Sequence, residues 1–360
     1  MPMQTTRREI IRAGCTLGAA LPFLQADAVL ADSVSDAYIL GSVNPELRPA
    51  AAKLLADNAY PPLTADNLAY ARSLPPPPLD GLKVPVQKRV IAGAKGQPEV
   101  IIYVVNPRPA GSKRPALLHT HGGGYILGTA SGAIRDLQDI CLALDCPAVT
   151  VEYRLAPETT YAGSIEDNYA GLKWLHDHAE ELGADPARIA VIGESAGGGH
   201  AALLAITARD RGEVPLAFQC LIYPMLDDRT GTSRKLPHEM DRLIWTAKSN
   251  HFGWKSFLGM EPGGPDVPAA GVPARVSDLQ GLPPAFIGVG SIDLFMNEDV
   301  DYARRLIAAG VPTELLVVPG AFHGFDTLAP QTHLSRQFRA AEIDALRTGL
   351  GLGAPSSPRE

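Results

Sequence analysis

Cysteine is scarce in this chain: Cys15, Cys141, Cys146 and Cys220 are the only four in 360 residues. A disulfide-stapled scaffold is thereby excluded. No cysteine or histidine spacing matches a zinc site, so no metal is expected. We read Cys141, Cys146 and Cys220 as buried free thiols, with a Cys141–Cys146 bridge as the alternative. Long apolar runs are missing too, which excludes stable insertion into a membrane. There is no Lys/Arg run and the formal net charge is −7. That balance argues against a nucleic-acid surface. Internal repeats are absent. What remains is a chain 46% hydrophobic and 20% charged, ordinary for a globular protein with a sizeable core.

The first 31 residues form a separate unit. Thr6-Arg7-Arg8-Glu9-Ile10-Ile11 sets two arginines before an apolar stretch, Ala13 to Leu24, and Val29-Leu30-Ala31 offers a cleavage site. The pattern is that of a twin-arginine export signal. It predicts a periplasmic or secreted protein, with a cytoplasmic one as the alternative. Residues 351–360 are expected to be a disordered tail.

Between these ends, strand-like and helix-like segments alternate. The candidate strands are Lys88–Ala92, Val100–Val105, Ala116–His121, Ala148–Tyr153, Arg188–Ile192, Ala217–Tyr223, Ala285–Val289 and Thr313–Val318. From the third onward they are short and rich in Val, Ile and Leu, as in parallel strands buried on both faces. Helical patterns cover Ser164–Leu182, with Ser164 and Asp167 resembling an N-terminal cap, and also Asp301–Ala309 and Arg336–Arg347. The alternation predicts an α/β fold, with a mostly parallel eight-stranded sheet over residues 81–350. Two stretches stand outside it. Residues 33–80 hold helical patterns at Pro45–Asn58 and Thr64–Leu74, and residues 227–280 hold another at Lys235–Leu258. Both are assigned to a helical cap over the site, because long insertions are usually functional.

The chemistry centres on Gly193-Glu194-Ser195-Ala196-Gly197, set between a strand and a helix. A G-x-S-x-G pentapeptide in that setting is a nucleophile elbow, whose strained turn projects the serine hydroxyl. Serine needs a base, and histidine serves near neutral pH when a carboxylate fixes its tautomer. Asp293 ends a candidate strand, and His323 lies in a loop after the last one. Ser195, Asp293 and His323 thus occur in the chain order this elbow requires. Glu298 is the competing acid, but it falls where a helix should begin. Gly122-Gly123-Gly124 follows the third strand and can present backbone N–H groups to a substrate oxygen. Gly123, Gly124 and Ala196 are the expected donors, each worth about 3–4 kcal/mol in the transition state. His121 is read as orienting that loop.

Together, His121-Gly122-Gly123-Gly124, Tyr153-Arg154-Leu155-Ala156-Pro157-Glu158, Gly193-Glu194-Ser195-Ala196-Gly197-Gly198 and His323-Gly324-Phe325 resemble the hormone-sensitive-lipase-like esterases, bacterial family IV. The similarity spans roughly residues 40–345. It implies a serine carboxylesterase without cofactor or metal, acting on a small-molecule ester, preferring short acyl chains and using Gly123, Gly124 and Ala196 as its oxyanion hole. Three positions depart from the family pattern. Glu194 stands where Asp or Thr is usual, Leu294 where Pro often follows the acid, and Asn297 where a second aspartate is common. Glu194 is expected to bear on the Arg154–Glu158 segment. The same triad could serve a lactonase, an amidase or a carbohydrate deacetylase; a non-catalytic binding protein on the same fold is the remaining reading.

Overall fold

The sheet is built from the runs the sequence marks as strands. In a computed structural model describing residues 36–111 and 113–353, they are β1 (Val86–Ile91), β2 (Val100–Val105), β3 (Arg114–Thr120), β4 (Ala148–Glu152), β5 (Ala184–Glu194), β6 (Phe218–Ile222), β7 (Ala285–Gly290) and β8 (Thr313–Val318). The export-signal segment and residues 354–360 lie outside the described residues. The strands form one sheet in the order β1-β2-β4-β3-β5-β6-β7-β8. Only β2 runs against its neighbours, pairing antiparallel with β1 and β4; the remaining pairs are parallel. The fold class read from the sequence is therefore the one observed.

Strand side chains alternate between two apolar layers, as the period of two requires. Leu118, Val191 and Ile287 point to one face, and Leu117, Ile192 and Phe286 to the other. The first face is covered by α5 (Tyr161–Asp177), α6 (Ala196–Arg211) and α8 (Met296–Ala308). The second is covered by α4 (Ala130–Leu144) and α10 (His333–Gly349), together with α1 (Asp36–Ser42) and α2 (Arg48–Asp57). The remaining helices are α3 (Ala65–Ser73), α7 (Ala247–Leu258) and the short α9 (Phe325–Leu328). None of the described helices is long and apolar enough to cross a membrane.

A third apolar cluster sits apart from both sheet faces. It joins Leu63, Leu68 and Ala71 around α3 with Trp245, Trp254 and Phe257 around α7, and with Tyr125, Ile126 and Leu127 after β3. Leu294 and Phe295, which follow Asp293, belong to it too. The stretch around α3 and the segment around α7, far apart in the chain, thus share one core beside the carboxyl ends of the strands, whereas α1 and α2 pack on the sheet.

Two sequence expectations need correction. Helix α5 begins at Tyr161, so Ser164 and Asp167 are not its cap; both are buried inside it, and Asp167 pairs with Arg154 at 2.8 Å. The helix expected over Lys235–Leu258 starts only at Ala247. There Thr246 caps it by accepting from the Ser249 N–H, which satisfies an otherwise orphan donor. Cys141, Cys146 and Cys220 are free and buried.

Candidate active site

Ser195 stands between β5 and α6 with φ 58° and ψ −123°, a backbone region that L-residues avoid and that functional sites retain. The surroundings hold it there. Its N–H donates to the Ile222 carbonyl at 2.9 Å, and its carbonyl accepts from Gly199 at 3.0 Å and Met225 at 2.9 Å. Residue 197 must be glycine, because a Cβ would collide with the Thr120 carbonyl.

His323 lies in the loop between β8 and α9. Its Nε2 is 3.0 Å from Ser195 Oγ, and its Nδ1 is 2.8 Å from Asp293 Oδ2. Asp293 is fully buried after β7, and its Oδ1 accepts from the Phe295 N–H at 2.9 Å. With a carboxylate facing Nδ1, that nitrogen carries the hydrogen and Nε2 is free to accept. The imidazole is held edge-on between Tyr223 and Phe295, with centroids 4.8 and 5.2 Å away. Tyr223 in turn donates to Asp326 Oδ1 at 3.0 Å, and Arg339 pairs with the same carboxylate at 2.7 Å. Three chain-distant residues are therefore brought into one hydrogen-bonded line. Glu298 is not part of it: its Oε1 accepts from the N–H groups of Leu226 at 2.6 Å and Asp227 at 3.0 Å. It does begin a helix, as its sequence setting implies.

The glycine loop after β3 faces the same serine. An added Cβ on Gly122 would lie 3.5 Å from the Ser195 Cβ. The N–H groups of Gly123, Gly124 and Ala196 donate to none of the turn and loop carbonyls bonded among the described residues. The loop is braced instead through its carbonyls and side chains. Gly123 O accepts from Leu127 at 2.8 Å, and His121 Nδ1 donates to Gly122 O at 2.9 Å. His121 stacks on Tyr153 with centroids 4.2 Å apart, and burial pushes its pKa down to about 4. It is thus neutral and structural at physiological pH, in keeping with the orienting part read from sequence. Arg72 of α3 reaches the loop from the N-terminal segment, donating to Ile126 O at 2.8 Å and Ala156 O at 2.6 Å.

Glu194 does not reach the Arg154–Glu158 segment. It bonds His119 of β3 at 3.1 Å, while Glu158 pairs with Arg72. Of the site neighbours after β6, Met225 follows a strand end in the sequence, whereas Tyr223 carries no sequence mark of a site residue. The place of Tyr223 directly after β6, beside the elbow strand in the sheet, is the signal that could have found it.

Comparisons with known proteins place the chain in a family. A family model described as alpha/beta hydrolase fold matches residues 117–327. Carboxylesterase NlhH of Mycobacterium tuberculosis is 33% identical over 292 residues, covering 78% of this chain and 88% of the relative. Esterase LipI of the same organism is 36% identical over 237 residues, covering 65% and 73%. Among solved structures, a bacterial heroin esterase superposes with TM-score 0.77 at 38% identity, covering 86% of this chain and 99% of its own. With matches of this extent, the chain belongs to the hormone-sensitive-lipase-like (bacterial family IV) carboxylesterases of the α/β-hydrolase superfamily and is a carboxylic ester hydrolase.

Proposed function

We propose that Ser195 is the nucleophile, His323 its general base and Asp293 the carboxylate that orients the histidine, with Gly123, Gly124 and Ala196 supplying the oxyanion hole. The unbroken line Ser195 Oγ–His323 Nε2–Asp293 at 3.0 and 2.8 Å carries this reading. His323 takes the serine proton as Oγ attacks the ester carbonyl, and the oxygen of the tetrahedral intermediate is held by the three N–H groups. His323 returns the proton to the departing alcohol. Water, deprotonated by the same imidazole, then releases the acid and regenerates Ser195.

The preferred substrates are esters of short acyl chains. Residues 33–80 and 227–280 act as a cap, a reading supported for the α3 end of the first segment by the apolar cluster that Leu63, Leu68 and Ala71 share with Trp245, Trp254, Tyr125, Leu294 and Phe295 beside the site. The arginine pair at Arg7-Arg8 and the apolar run after it support export with cleavage after Ala31; N-terminal sequencing of periplasmic protein checks this.

The test is hydrolysis of p-nitrophenyl esters from acetate to laurate by the wild type and by Ser195→Ala. Turnover concentrated on the short esters and abolished in the variant is the expected result. Activity that survives in Ser195→Ala overturns the assignment. Turnover absent from every ester but present on lactones, amides or acetylated sugars moves the same triad to another acyl bond.

A further inference from the structure

Tyr125 follows the three glycines directly and stands at φ 67°, in the left-handed region a bulky side chain avoids. Its phenol hydroxyl donates to the Met225 carbonyl at 2.8 Å. Met225 is also the residue whose N–H donates to the Ser195 carbonyl at 2.9 Å. A single residue after β6 therefore holds the nucleophile through its nitrogen and the glycine loop through its carbonyl oxygen. The next residue, Leu226, is itself fixed by its N–H to Glu298 Oε1 at 2.6 Å. The Tyr125 ring is clamped in turn, stacked on Phe257 of α7 at 3.8 Å and 9°.

The surroundings are shaped around that hydroxyl. A Cβ on Gly199, one turn into α6 from Ser195, would collide with both the phenol oxygen and the Met225 carbonyl. The Tyr125 ring is 1% exposed. Burial pushes its pKa well up, so the phenol stays a neutral donor at any working pH.

We infer that Tyr125 is a positioning residue whose hydroxyl, through Met225, fixes the distance between Ser195 Oγ and the oxyanion donors Gly123 and Gly124. The inference rests on the roles given above to Ser195 and the glycine loop. Its physical basis is that oxyanion donors act only when aimed at the place where charge develops, so a small displacement weakens the transition state more than the bound substrate. The phenol touches no reacting atom. Its contribution is therefore read in kcat and not in KM.

Tyr125→Phe removes the hydroxyl alone and keeps the ring stacked on Phe257. Enzyme concentration is normalised by titration with a fluorophosphonate, so that any loss of folded protein drops out. The expected result is a kcat on p-nitrophenyl butyrate lower by about tenfold, with KM changed less than twofold. Inhibition by a trifluoromethyl ketone, whose serine adduct carries the oxyanion, should weaken by a similar factor. Wild-type kcat and inhibition in Tyr125→Phe overturn the inference, as does a loss confined to KM or to melting temperature. Ser195→Ala run alongside separates the two readings. Ser195-dependent turnover with an unimpaired Tyr125→Phe overturns the clamp alone, whereas turnover persisting in Ser195→Ala overturns the nucleophile assignment beneath it.

Discussion

Glu194 Oε2 lies 3.1 Å from His119 Nε2, and the other ring nitrogen of His119 meets Thr150 Oγ1 at 2.8 Å. The pair bridges the adjacent parallel strands β3 and β5 at the level where one leads into the glycine loop and the other into Ser195. Burial pushes the Glu194 carboxyl up, but the His119 charge, its hydrogen bond and Arg339 outweigh this and hold it below the usual range.

At neutral pH Glu194 is therefore ionised. A carboxyl whose folded pKa is depressed stabilises the fold above its unfolded pKa, about 4.3, and that stabilisation is lost as pH falls through the folded value. Glu194→Gln keeps a hydrogen-bonding group near His119 and removes only the charge. Its deficit in melting temperature should be clear at pH 7 and smaller at pH 4. An equal deficit at both values would show that the charge contributes nothing. Glu194→Ala leaves the buried imidazole without this partner and should cost about 1–3 kcal/mol in urea unfolding.

His200 on α6 gives the opposite kind of prediction. Both ring nitrogens lack a hydrogen-bond partner among the described residues. The ring is enclosed by Tyr153 at 4.5 Å, Tyr125 at 5.1 Å and Phe257 at 5.3 Å. Burial, helped by His121, pushes its pKa down to about 3 from 6.5. The unfolded chain takes up this proton near pH 6.5 and the folded one only far below. Stability is thus full above pH 6.5 and declines from there toward pH 3, at up to about 1.4 kcal/mol per pH unit. His200→Leu removes the penalty and the unpaired nitrogens together. It should raise the melting temperature, and more at pH 5 than at pH 8. A variant with the same shift at both would show that proton uptake by His200 has no part in acid sensitivity.

The parts legible in the sequence were those whose signal is local. The strands declare themselves as short apolar runs because a parallel sheet buries both faces. The elbow, the glycine loop and the acid and histidine turns each show within a few residues. What failed depended on distant partners. Ser164 and Asp167 look like a cap, but Asp167 serves Arg154, thirteen residues before it. Lys235–Leu258 keeps apolar residues at helical spacing. Yet Leu243 and Trp245 are buried from irregular backbone that includes Ile244 at φ 67°. Periodicity records burial there and not the helix. Likewise, no local pattern could join Tyr125 to Met225, a hundred residues away.

The segment after β6 is anchored by a buried ion pair. Asp228 is fully buried and accepts from Arg275 at 2.6 and 2.9 Å and from the Gly263 N–H at 2.5 Å. Removing one partner leaves the other buried and uncompensated, which costs about 3–5 kcal/mol. Asp228→Ala should therefore lower the melting temperature strongly and bring the first proteolytic cuts to residues 259–275. Asp228→Asn, which still accepts from Arg275, should lie between it and the wild type. Wild-type stability in Asp228→Ala would contradict this ledger of charges.

Trp245 bears on which ester fits. The far edge of its indole rests on the Gly124 α-carbon, where a Cβ would collide with it. The ring cannot turn away without loss: its Nε1 donates to Asn250 Oδ1 at 3.1 Å, and Asn250 Nδ2 donates to the Thr230 carbonyl at 2.8 Å. In the oxyanion hole proposed above, Gly124 is one of the groups that hold the substrate carbonyl, and the indole edge covers the α-carbon of that same residue. Trp245→Ala empties the volume, at a stability cost of about 3–5 kcal/mol. It should move the chain-length optimum on p-nitrophenyl esters toward longer acyl groups, with Trp245→Phe moving it less. An active Trp245→Ala enzyme with the wild-type chain-length profile would put the indole outside the substrate pocket, and the limit on ester size would have to come from another wall.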